Sequence, residues 1–337
     1  MQKVPLVTDR NQLLDIYDAA AQKRWVVPTF CTENLTTTEA VLAATEEHGK
    51  HLGASHLPVT IAITNLYSHR SQTLSYTRTG RWEIGLRLFV ADVEVLTGHG
   101  SPFESLHVMI HLDHIQPDLD RELLGWDMRR FSSIMFDASR LPFERNVEAT
   151  ARFVEQHGSE IVVEGACDEI RDSAGGEVCN LTTPERAQQY FSKTGVDFIV
   201  ANLGTEHRAS ASELRYHGEI ARAIKDKVGT KMVLHGCSSV SRSQVGHLFD
   251  DGVCKVNIWT AFERDSSPAL LADMVKNAAK IAGPVAAAKL LQAGYLGPQA
   301  DTTSRPHLDY FTTSYRQSLV FSEMKRIASA YLETWYA

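Results

Sequence analysis

The amino-acid sequence predicts an α/β fold, a (β/α)8 TIM barrel that continues into a helical extension at its carboxyl-terminal end. Eight short apolar runs with β-strand composition recur along the chain, and segments with helical signals separate them. The chain has 337 residues, of which 43% are hydrophobic, so it can supply the large core that one such barrel requires. We therefore predict a single barrel domain spanning residues 1–337.

The eight predicted strands are short and apolar, as expected of a parallel sheet that is buried on both faces. In chain order they are "WVVPTF" from Trp25, "PVTIAI" from Pro58, "HVMIHL" from His107, "SSIMFD" from Ser132, "EIVVEG" from Glu160, "DFIVAN" from Asp197, "KMVLHG" from Lys231 and "CKVNIW" from Cys254.

Helical signals fill the connections between these runs. The segment "TTTEAVLAATEEHGK" predicts a threonine N-cap with Glu39 in the first turn, and Pro142 and Gly158 mark the start and end of a later helix. Two segments, roughly residues 65–102 and about 262–337, are longer than a minimal connection requires. We expect the second one to be a helical extension that contributes contacts in a homo-oligomer.

Composition and charge restrict the class of partner. The formal net charge is -7, and no basic block occurs that could neutralise a nucleic-acid backbone. The amino terminus lacks the apolar core of a signal peptide, and no apolar run has the roughly 18 residues of a membrane span. The five cysteines are scattered, without a C-x-x-C pair, which fits a reducing compartment. We expect a cytoplasmic protein that binds a small molecule rather than nucleic acid or a membrane.

Three histidines follow predicted strands at the end where a barrel places its active site. His114, His207 and His235 come after the third, sixth and seventh strands, whose carboxyl ends meet at one mouth. A lone histidine at a strand end is more often a hydrogen-bonded core or rim residue. Three that converge, however, offer the imidazole nitrogens of a catalytic metal site with an open position. The sequence therefore predicts a divalent metal site at the mouth.

Asp113 directly precedes the first of these histidines. Successive residues of a regular strand point to opposite faces, so we expect the third strand to end here if both side chains are to face the mouth. The carboxylate could then lie beside the metal and donate or accept a proton. The alternative is that Asp113 caps the next helix or orients a histidine. We interpret His111 as structural.

Six motifs occur in order along the chain: "VPTFCTENLTTTEAVLAATEE", "HLDH", "SSIMFDASRLPFERNV", "TGVDFIVANLGTEH", "VLHGCSSV" and "KVNIWT". They resemble those of the class II, metal-dependent aldolases that act on fructose bisphosphate and tagatose bisphosphate. Together they span most of the chain, and several separated motifs in order are far more specific than any one of them.

The resemblance implies zinc, or another divalent metal such as cobalt, held by His114, His207 and His235. It also implies that Asp113 handles the proton on the C4 hydroxyl of a ketose, and that Asn257 contacts the substrate near the reacting carbons. A metal chelated by the carbonyl and hydroxyl oxygens would stabilise the enediolate that cleavage between C3 and C4 leaves. Further candidates for substrate binding, most of them at strand ends, are Asn34, Thr64, Gly204, Arg208, Gly236, Ser238 and Thr260.

The chain departs from the family pattern at the phosphate site and at the base. Arg208 stands where the family has glycine with a lysine nearby, and Trp259 stands where some members carry a phosphate-contacting acid. Arg208 could bind an oxyanion, whereas Trp259 could fill the space of a phosphate, and both readings stay open. Glu177, after a Gly-Gly pair and one place early, is the candidate proton-abstracting base, with an ordinary solvated acid as the alternative. Asp137 and Glu164 are candidates for a second ion, such as a monovalent cation.

We therefore predict a zinc-dependent lyase that cleaves a ketose or ketose phosphate reversibly between C3 and C4, giving dihydroxyacetone or its phosphate and an aldehyde. One alternative is a non-catalytic relative that binds sugar or stabilises a partner subunit, against which the three histidines and Asp113 argue. The other alternative is a metal-dependent sugar isomerase or epimerase. Product analysis separates it from a lyase, because isomerisation releases no three-carbon product.

Overall fold

The computed structural model describes residues 6–170, 181–205 and 216–337. The strands are β1 (Val27–Cys31), β2 (Pro58–Thr64), β3 (His107–Ile115), β4 (Ser133–Phe136), β5 (Val162–Ala166), β6 (Phe198–Val200), β7 (Met232–Leu234) and β8 (Val253–Ile258). They pair in parallel in this order, and β8 pairs with β1, so the sheet closes into a barrel. The predicted (β/α)8 fold is therefore confirmed, and each of the eight predicted runs contributes one strand.

Helices surround the barrel and extend beyond it. They are α1 (Arg10–Gln22), α2 (Leu35–Leu52), α3 (Gln72–Tyr76), α4 (Trp82–Thr97), α5 (Phe143–His157), α6 (Pro184–Thr194), α7 (Gly218–Val228), α8 (Arg242–Val245), α9 (Thr260–Lys276), α10 (Ala278–Ala282), α11 (Pro284–Gln292), α12 (Leu308–Phe311) and α13 (Thr313–Trp335). The long segment 65–102 thus folds into α3 and α4, and the segment 262–337 forms the predicted helical extension. In the described part of the chain, no helix is both long and apolar enough to cross a membrane.

The start of α2 differs from the prediction of a threonine cap. Asn34 is the N-cap: its side chain accepts a hydrogen bond from the backbone of Thr37, while the Thr37 hydroxyl accepts one from the backbone N–H of Asn34. Asparagine and threonine both cap helices well, so composition alone did not choose between them. The helix begins earlier than expected, and Glu39 consequently lies beyond its first turn. Pro142 and Gly158 do flank α5 as predicted.

The third strand does not end at Asp113, contrary to our expectation. It runs to Ile115, and its register with β4 shifts between Leu112 and Ile115. His114 adopts a left-handed backbone conformation with φ of 50°, which is uncommon for a residue other than glycine. This irregularity breaks the alternation of the strand, so Asp113 and His114 both face the mouth.

The interior of the barrel changes from apolar to polar towards the mouth. A cluster that includes Met109, Val162 and Phe198 packs against α1 residues such as Leu13 and forms an apolar plug at the amino-terminal end. Above it lie polar side chains that are fully or almost fully buried: Thr29, Thr60, His111, Ser133, Glu164 and Lys255. Along the barrel axis, the interior therefore consists of an apolar layer at the amino-terminal end, a buried polar layer above it, and the polar residues at the carboxyl ends of the strands.

Candidate metal centre and active-site cleft

A cleft opens at the carboxyl-terminal mouth of the barrel, with a cavity volume of about 60 Å³. Residues that follow or end β2, β3, β7 and β8 form much of its wall. They include Thr64, Tyr67, Arg70, Asp113, His114, His235, Gly236, Ser238, Asn257, Trp259 and Thr260.

Two of the three predicted metal ligands meet in this cleft. His114 Nε2 lies 3.2 Å from His235 Nδ1, and both side chains are almost completely buried. Among the described residues, Asp113, His114 and His235 form a group whose potential ligand atoms all lie within 4.8 Å of one another. The third predicted ligand, His207, lies outside the described residues.

The geometry of the two imidazoles fits a tetrahedral metal ion. Zinc binds histidine nitrogens at about 2.0–2.1 Å, so two nitrogens on one tetrahedral ion are about 3.3 Å apart. The separation of 3.2 Å between His114 Nε2 and His235 Nδ1 agrees with this edge length. Two buried imidazoles with a carboxylate within reach are also a donor set that zinc and similar divalent metals accept.

His114 is held on two sides. Its Nδ1 lies 2.8 Å from Asp137 Oδ2, a contact that fixes the tautomer and leaves Nε2 as the nitrogen available to a metal. Asp137 is itself fixed, because its other oxygen accepts hydrogen bonds from the backbone and hydroxyl of Ser139. The ring of Tyr67 stacks on the imidazole with a centroid distance of 4.2 Å and an interplanar angle of 2°. These contacts fix the ring that the left-handed backbone presents to the cleft.

Asp113 lies beside the histidine pair and is tightly surrounded. Asn257 Nδ2 donates to its Oδ1 over 2.9 Å, and the Cys31 thiol lies 3.5 Å from Oδ2. His111 Nε2 is 3.6 Å and His235 Nε2 is 4.0 Å from the same Oδ1. The amide of Asn257 therefore orients the carboxylate of Asp113, a contact that the sequence analysis did not predict.

Charge favours the ionised form of Asp113. Burial alone would raise the pKa of this carboxyl, but the charges of His114 and His235 and the contact with His111 hold the pKa well below its usual range. Burial likewise would lower the pKa of His114, but Asp113 and Asp137 raise it. A metal must therefore compete with a proton for His114, so metal affinity rises with pH.

His111, which we interpreted as structural, is fully buried and lies in the polar layer next to Asp113. Its Nδ1 lies 2.8 Å from Ser133 Oγ, and its Nε2 lies 3.6 Å from both Asp113 and Glu164. Glu164 in turn binds Lys255 Nζ over 2.5 Å, and both side chains are almost fully buried. His111 lies two residues before Asp113 in the same strand, so both side chains are on the same face of it. This spacing is visible in the sequence.

Asp137 and Glu164, the candidates for a second ion, each have other partners among the described residues. Asp137 is engaged with His114 and Ser139, whereas Glu164 forms a buried ion pair with Lys255. The ammonium group of Lys255 already supplies the positive charge that a cation would bring to Glu164. The two carboxylates also do not belong to one group of potential metal ligands among the described residues.

The predicted substrate-binding residues divide into three groups. Thr64, Gly236, Ser238 and Thr260 line the cleft, and the buried Ser238 hydroxyl has no hydrogen-bond partner among the described residues. Asn34 and Gly204 do not belong to the described cleft lining. Asn34 caps α2, and the backbone N–H of Gly204 donates a hydrogen bond to the side chain of Asn202. Arg208, and the candidate base Glu177, lie outside the described residues, so their roles stay predictions.

Trp259 forms part of the cleft wall next to β8, and a carboxylate at the rim holds it. Its indole Nε1 donates to Glu33 Oε1 over 2.8 Å. The same carboxylate accepts hydrogen bonds from Gln72 Nε2 at 3.2 Å and from Arg70 Nε at 3.0 Å, and the other oxygen pairs with Arg70 Nη2. The sequence singled out Trp259 but gave no sign of Glu33, because the contact joins residues 226 positions apart.

Comparisons with known proteins identify the family of this chain. The family model described as fructose-bisphosphate aldolase class-II matches residues 11–304. The D-tagatose-1,6-bisphosphate aldolase subunit GatY of Klebsiella oxytoca is 27% identical over 273 residues, which cover 79% of this chain and 85% of that protein. A probable fructose-bisphosphate aldolase of Bacillus subtilis is 26% identical over 284 residues, covering 79% and 86%.

A solved structure shows the same fold. The crystal structure of fructose-bisphosphate aldolase from Campylobacter jejuni aligns with a TM-score of 0.75 at 19% identity, covering 98% of this chain and 95% of that one. At this identity the structural likeness concerns the fold alone, whereas the family match spans most of the sequence. The chain belongs to the class-II fructose-bisphosphate aldolase family and is a lyase of the metal-dependent aldolase class.

Proposed function

We propose that this protein is a zinc-dependent aldolase that cleaves a ketose or ketose phosphate reversibly between C3 and C4. The products are dihydroxyacetone or its phosphate and an aldehyde. The observation that carries the proposal is the buried pair His114 and His235, 3.2 Å apart, with the carboxylate of Asp113 beside it in one cleft. Membership of the aldolase family supports the reaction class.

His114 and His235, with His207 as the predicted third ligand, would hold the metal. When bound, a divalent metal supplies Lewis-acid stabilisation of the negative charge that develops on the substrate during C3–C4 cleavage. Asp137 keeps His114 in the tautomer that offers Nε2 to a metal. Burial of the pair excludes water, which strengthens electrostatic interactions at this end of the cleft.

Asp113 moves the first proton. Its carboxylate accepts the proton of the C4 hydroxyl, the C4 oxygen becomes the aldehyde oxygen, and the electrons of the C3–C4 bond stay with the C3 fragment. The low pKa keeps Asp113 ionised, and therefore able to accept a proton, at neutral pH. Asn257 holds one carboxylate oxygen, while the other faces only the weak thiol donor of Cys31 among the described contacts.

A second group must deliver a proton to the C3 fragment before dihydroxyacetone or its phosphate leaves. We propose Glu177 for this step, on the resemblance of its sequence position to that of the family's glutamate. The reverse reaction would use the same group as a base to remove that proton from C3.

We propose further that the protein is a homo-oligomer whose contacts involve the helical extension. Several large apolar side chains there are exposed, including Leu271 at 66%, Val285 at 70%, Tyr295 at 77% and Leu308 at 64%. Exposed apolar side chains mark a protein interface where they form one contiguous patch. Size-exclusion chromatography with light scattering is expected to give the mass of a dimer or a larger assembly, and a monomer mass would contradict it.

The experiment that tests the reaction is a screen of the metal-loaded protein for triose release. Free, monophosphorylated and bisphosphorylated forms of D-fructose and D-tagatose are supplied, and dihydroxyacetone or its phosphate is measured. We expect turnover that a chelator abolishes and zinc or cobalt restores. Release of no triose from any of these ketoses would contradict the proposal, and interconversion without triose would indicate an isomerase or epimerase.

Asp113→Asn separates the proton step from metal binding. Loss of a general base lowers the rate by about 10²–10⁴-fold, so turnover is expected to fall by that factor while the protein still binds zinc. Asp127→Asn is a matched control, because Asp127 is an exposed aspartate that does not line the cleft. Equal turnover of Asp113→Asn and wild type would exclude the proposed role.

A further inference from the structure

Trp259 is placed to select the substrate. It directly follows β8 and lines the same cleft as Asp113 and His114. Asn257, two residues earlier, holds the carboxylate of Asp113. A substrate that reaches Asp113 therefore lies close to the wall that contains the indole.

The indole has a fixed position. Glu33 accepts hydrogen bonds from Trp259, Gln72 and Arg70, so donors from the loops after β2 and β8 converge on a carboxylate in the loop after β1. The side chain of Glu33 is 12% exposed, which protects these contacts from competition by water. Because this hydrogen bond holds the indole of Trp259, the side chain cannot rotate away to admit a larger group without losing the bond to Glu33.

The wall also lacks a free positive charge in the part of the cleft that the structure describes. Arg70 is the one lysine or arginine among the described lining residues, and Glu33 neutralises it by pairing with two of its nitrogens. Glu263, which lies one helical turn after Trp259, adds a second acid close enough to Glu33 for their charges to interact. A phosphate group carries about -1.5 to -2 charges at pH 7, so next to Trp259 it would lie close to the carboxylate of Glu33, and no lysine or arginine among the described lining residues is free to bind it.

From these contacts we propose, on the basis of the proposed aldolase function, that the end of the ketose lying against Trp259 is unphosphorylated. The indole packs against the carbon atoms of an unphosphorylated hydroxymethyl end. The ion pair with Glu33 keeps Arg70 from serving as a phosphate ligand. Trp259 and Glu33 are thus the residues that determine specificity at this end. The substrate class is a ketose with a phosphate at the opposite end or with no phosphate.

The test compares kcat/KM of the zinc-loaded enzyme for the free sugar, the 1-phosphate, the 6-phosphate and the bisphosphate of D-fructose and of D-tagatose. For the sugar that is cleaved best, the free form or one monophosphate is expected to exceed the bisphosphate by at least tenfold. Trp259→Ala opens the wall and Glu33→Gln releases Arg70, so each is expected to reduce that preference at least fivefold. Trp259→Phe keeps an aromatic wall but loses the hydrogen bond to Glu33, so its preference is expected to lie between those of the wild type and Trp259→Ala. Asp127→Asn, an exposed aspartate outside the cleft, is the control with the preference retained.

A smaller preference in the wild type, or a preference that neither Trp259→Ala nor Glu33→Gln changes, would overturn the inference. Dissociation constants of the same sugars from isothermal titration make the same comparison without turnover. Absence of cleavage of every sugar would therefore count against the aldolase proposal alone. Equal binding of the bisphosphate and the preferred form would count against the role of the wall.

Discussion

Removal of the carboxylate of Asp137 is predicted to weaken zinc binding without removing a metal ligand. Asp137 Oδ2 lies 2.8 Å from His114 Nδ1, and the Asp137 side chain is almost completely buried. A carboxylate in this position fixes the imidazole ring and makes its other nitrogen a stronger ligand. Asp137→Ala removes both effects, whereas Asp137→Asn keeps the shape and can still accept a hydrogen bond but loses the charge.

The size of the effect follows from the contacts. Loss of such a supporting group costs about 10–100-fold in metal affinity, or about 1.4–2.8 kcal/mol at 1.4 kcal/mol for each factor of ten. We expect the loss of zinc affinity in Asp137→Ala to be near the upper limit, because the buried Nδ1 of His114 loses its hydrogen-bond partner. The loss in Asp137→Asn is expected to be near the lower limit. The carboxylate also raises the pKa of His114, so its removal reduces competition by protons. The loss of affinity is therefore expected to be smaller at low pH than at high pH.

The assay is competition with a chelator of known zinc affinity, performed at pH 6 and pH 8, with circular dichroism to establish that the variants are folded. Asp127→Asn provides a matched control, because Asp127 is an exposed aspartate paired with Arg129 outside the cleft. An affinity of Asp137→Ala equal to that of the wild type at pH 8 would refute the reasoning that Asp137 supports the metal through His114.

Three further predictions concern other contacts. Tyr67→Ala removes the stack on His114, worth about 0.5–1.5 kcal/mol, and should weaken zinc binding about 2–12-fold in the chelator assay, whereas Tyr67→Phe should not. Lys255→Met leaves Glu164 buried without its counter-charge, so urea unfolding should show a loss of about 3–5 kcal/mol. Burial and then the charge of Glu33 raise the pKa of Glu263 to about 7 from a usual 4.5, so stability falls as the pH rises between these values. Glu263→Gln removes this loss and should stabilise the fold by about 1–3 kcal/mol above pH 7 but not below pH 4.5.

Each of these predictions has a result that would contradict it. Equal zinc affinity in the alanine and phenylalanine variants of Tyr67 would show that the stacked ring does not support His114. For the ion pair, the double variant Lys255→Met with Glu164→Gln should recover much of the lost stability, and a double variant no more stable than the single one would exclude charge burial as the cause. If the effect of Glu263→Gln were the same at pH 4 and pH 8, titration of Glu263 would not be its source.

Much of the fold could be predicted because the composition of the strands distinguishes them from the rest of the chain. A parallel strand buried on both faces must be apolar along most of its length, and the eight runs met that requirement. Helix starts were harder, since Asn34 and the threonines that follow it all have side chains able to accept the capping hydrogen bond. Tertiary contacts around the first turn of α2 decide between such residues, and these contacts do not appear in a local pattern.

The candidate site could be predicted as far as strand ends determine it. Asp113 and His114 lie near the carboxyl end of β3 and His235 follows β7. These strand ends meet at the mouth, so the proximity of the three residues follows from the topology. The irregular backbone at His114 could not be predicted, because nothing in "HLDH" marks a left-handed residue that is not glycine. We inferred that alternation had to be broken, but we expected the end of the strand where the structure has a register shift.

Contacts between loops account for most of what the sequence did not reveal. The stacking of Tyr67 on His114 and the hydrogen bond from Trp259 to Glu33 each depend on the conformations of separate connections. No periodicity or spacing rule links such residues. The buried pair of Glu164 and Lys255 was missed for a related reason, since each residue alone suggests a solvent-exposed charge or an ion ligand.

The central claim is that His114 and His235 hold one catalytic divalent metal in the cleft. Anomalous diffraction at the zinc edge, from crystals of the zinc-loaded protein, tests it most directly. The account predicts a single strong peak within bonding distance of His114 Nε2 and His235 Nδ1, with the carboxylate of Asp113 beside it. A cleft without such a peak in fully loaded crystals, or a zinc ion bound only elsewhere, would contradict it.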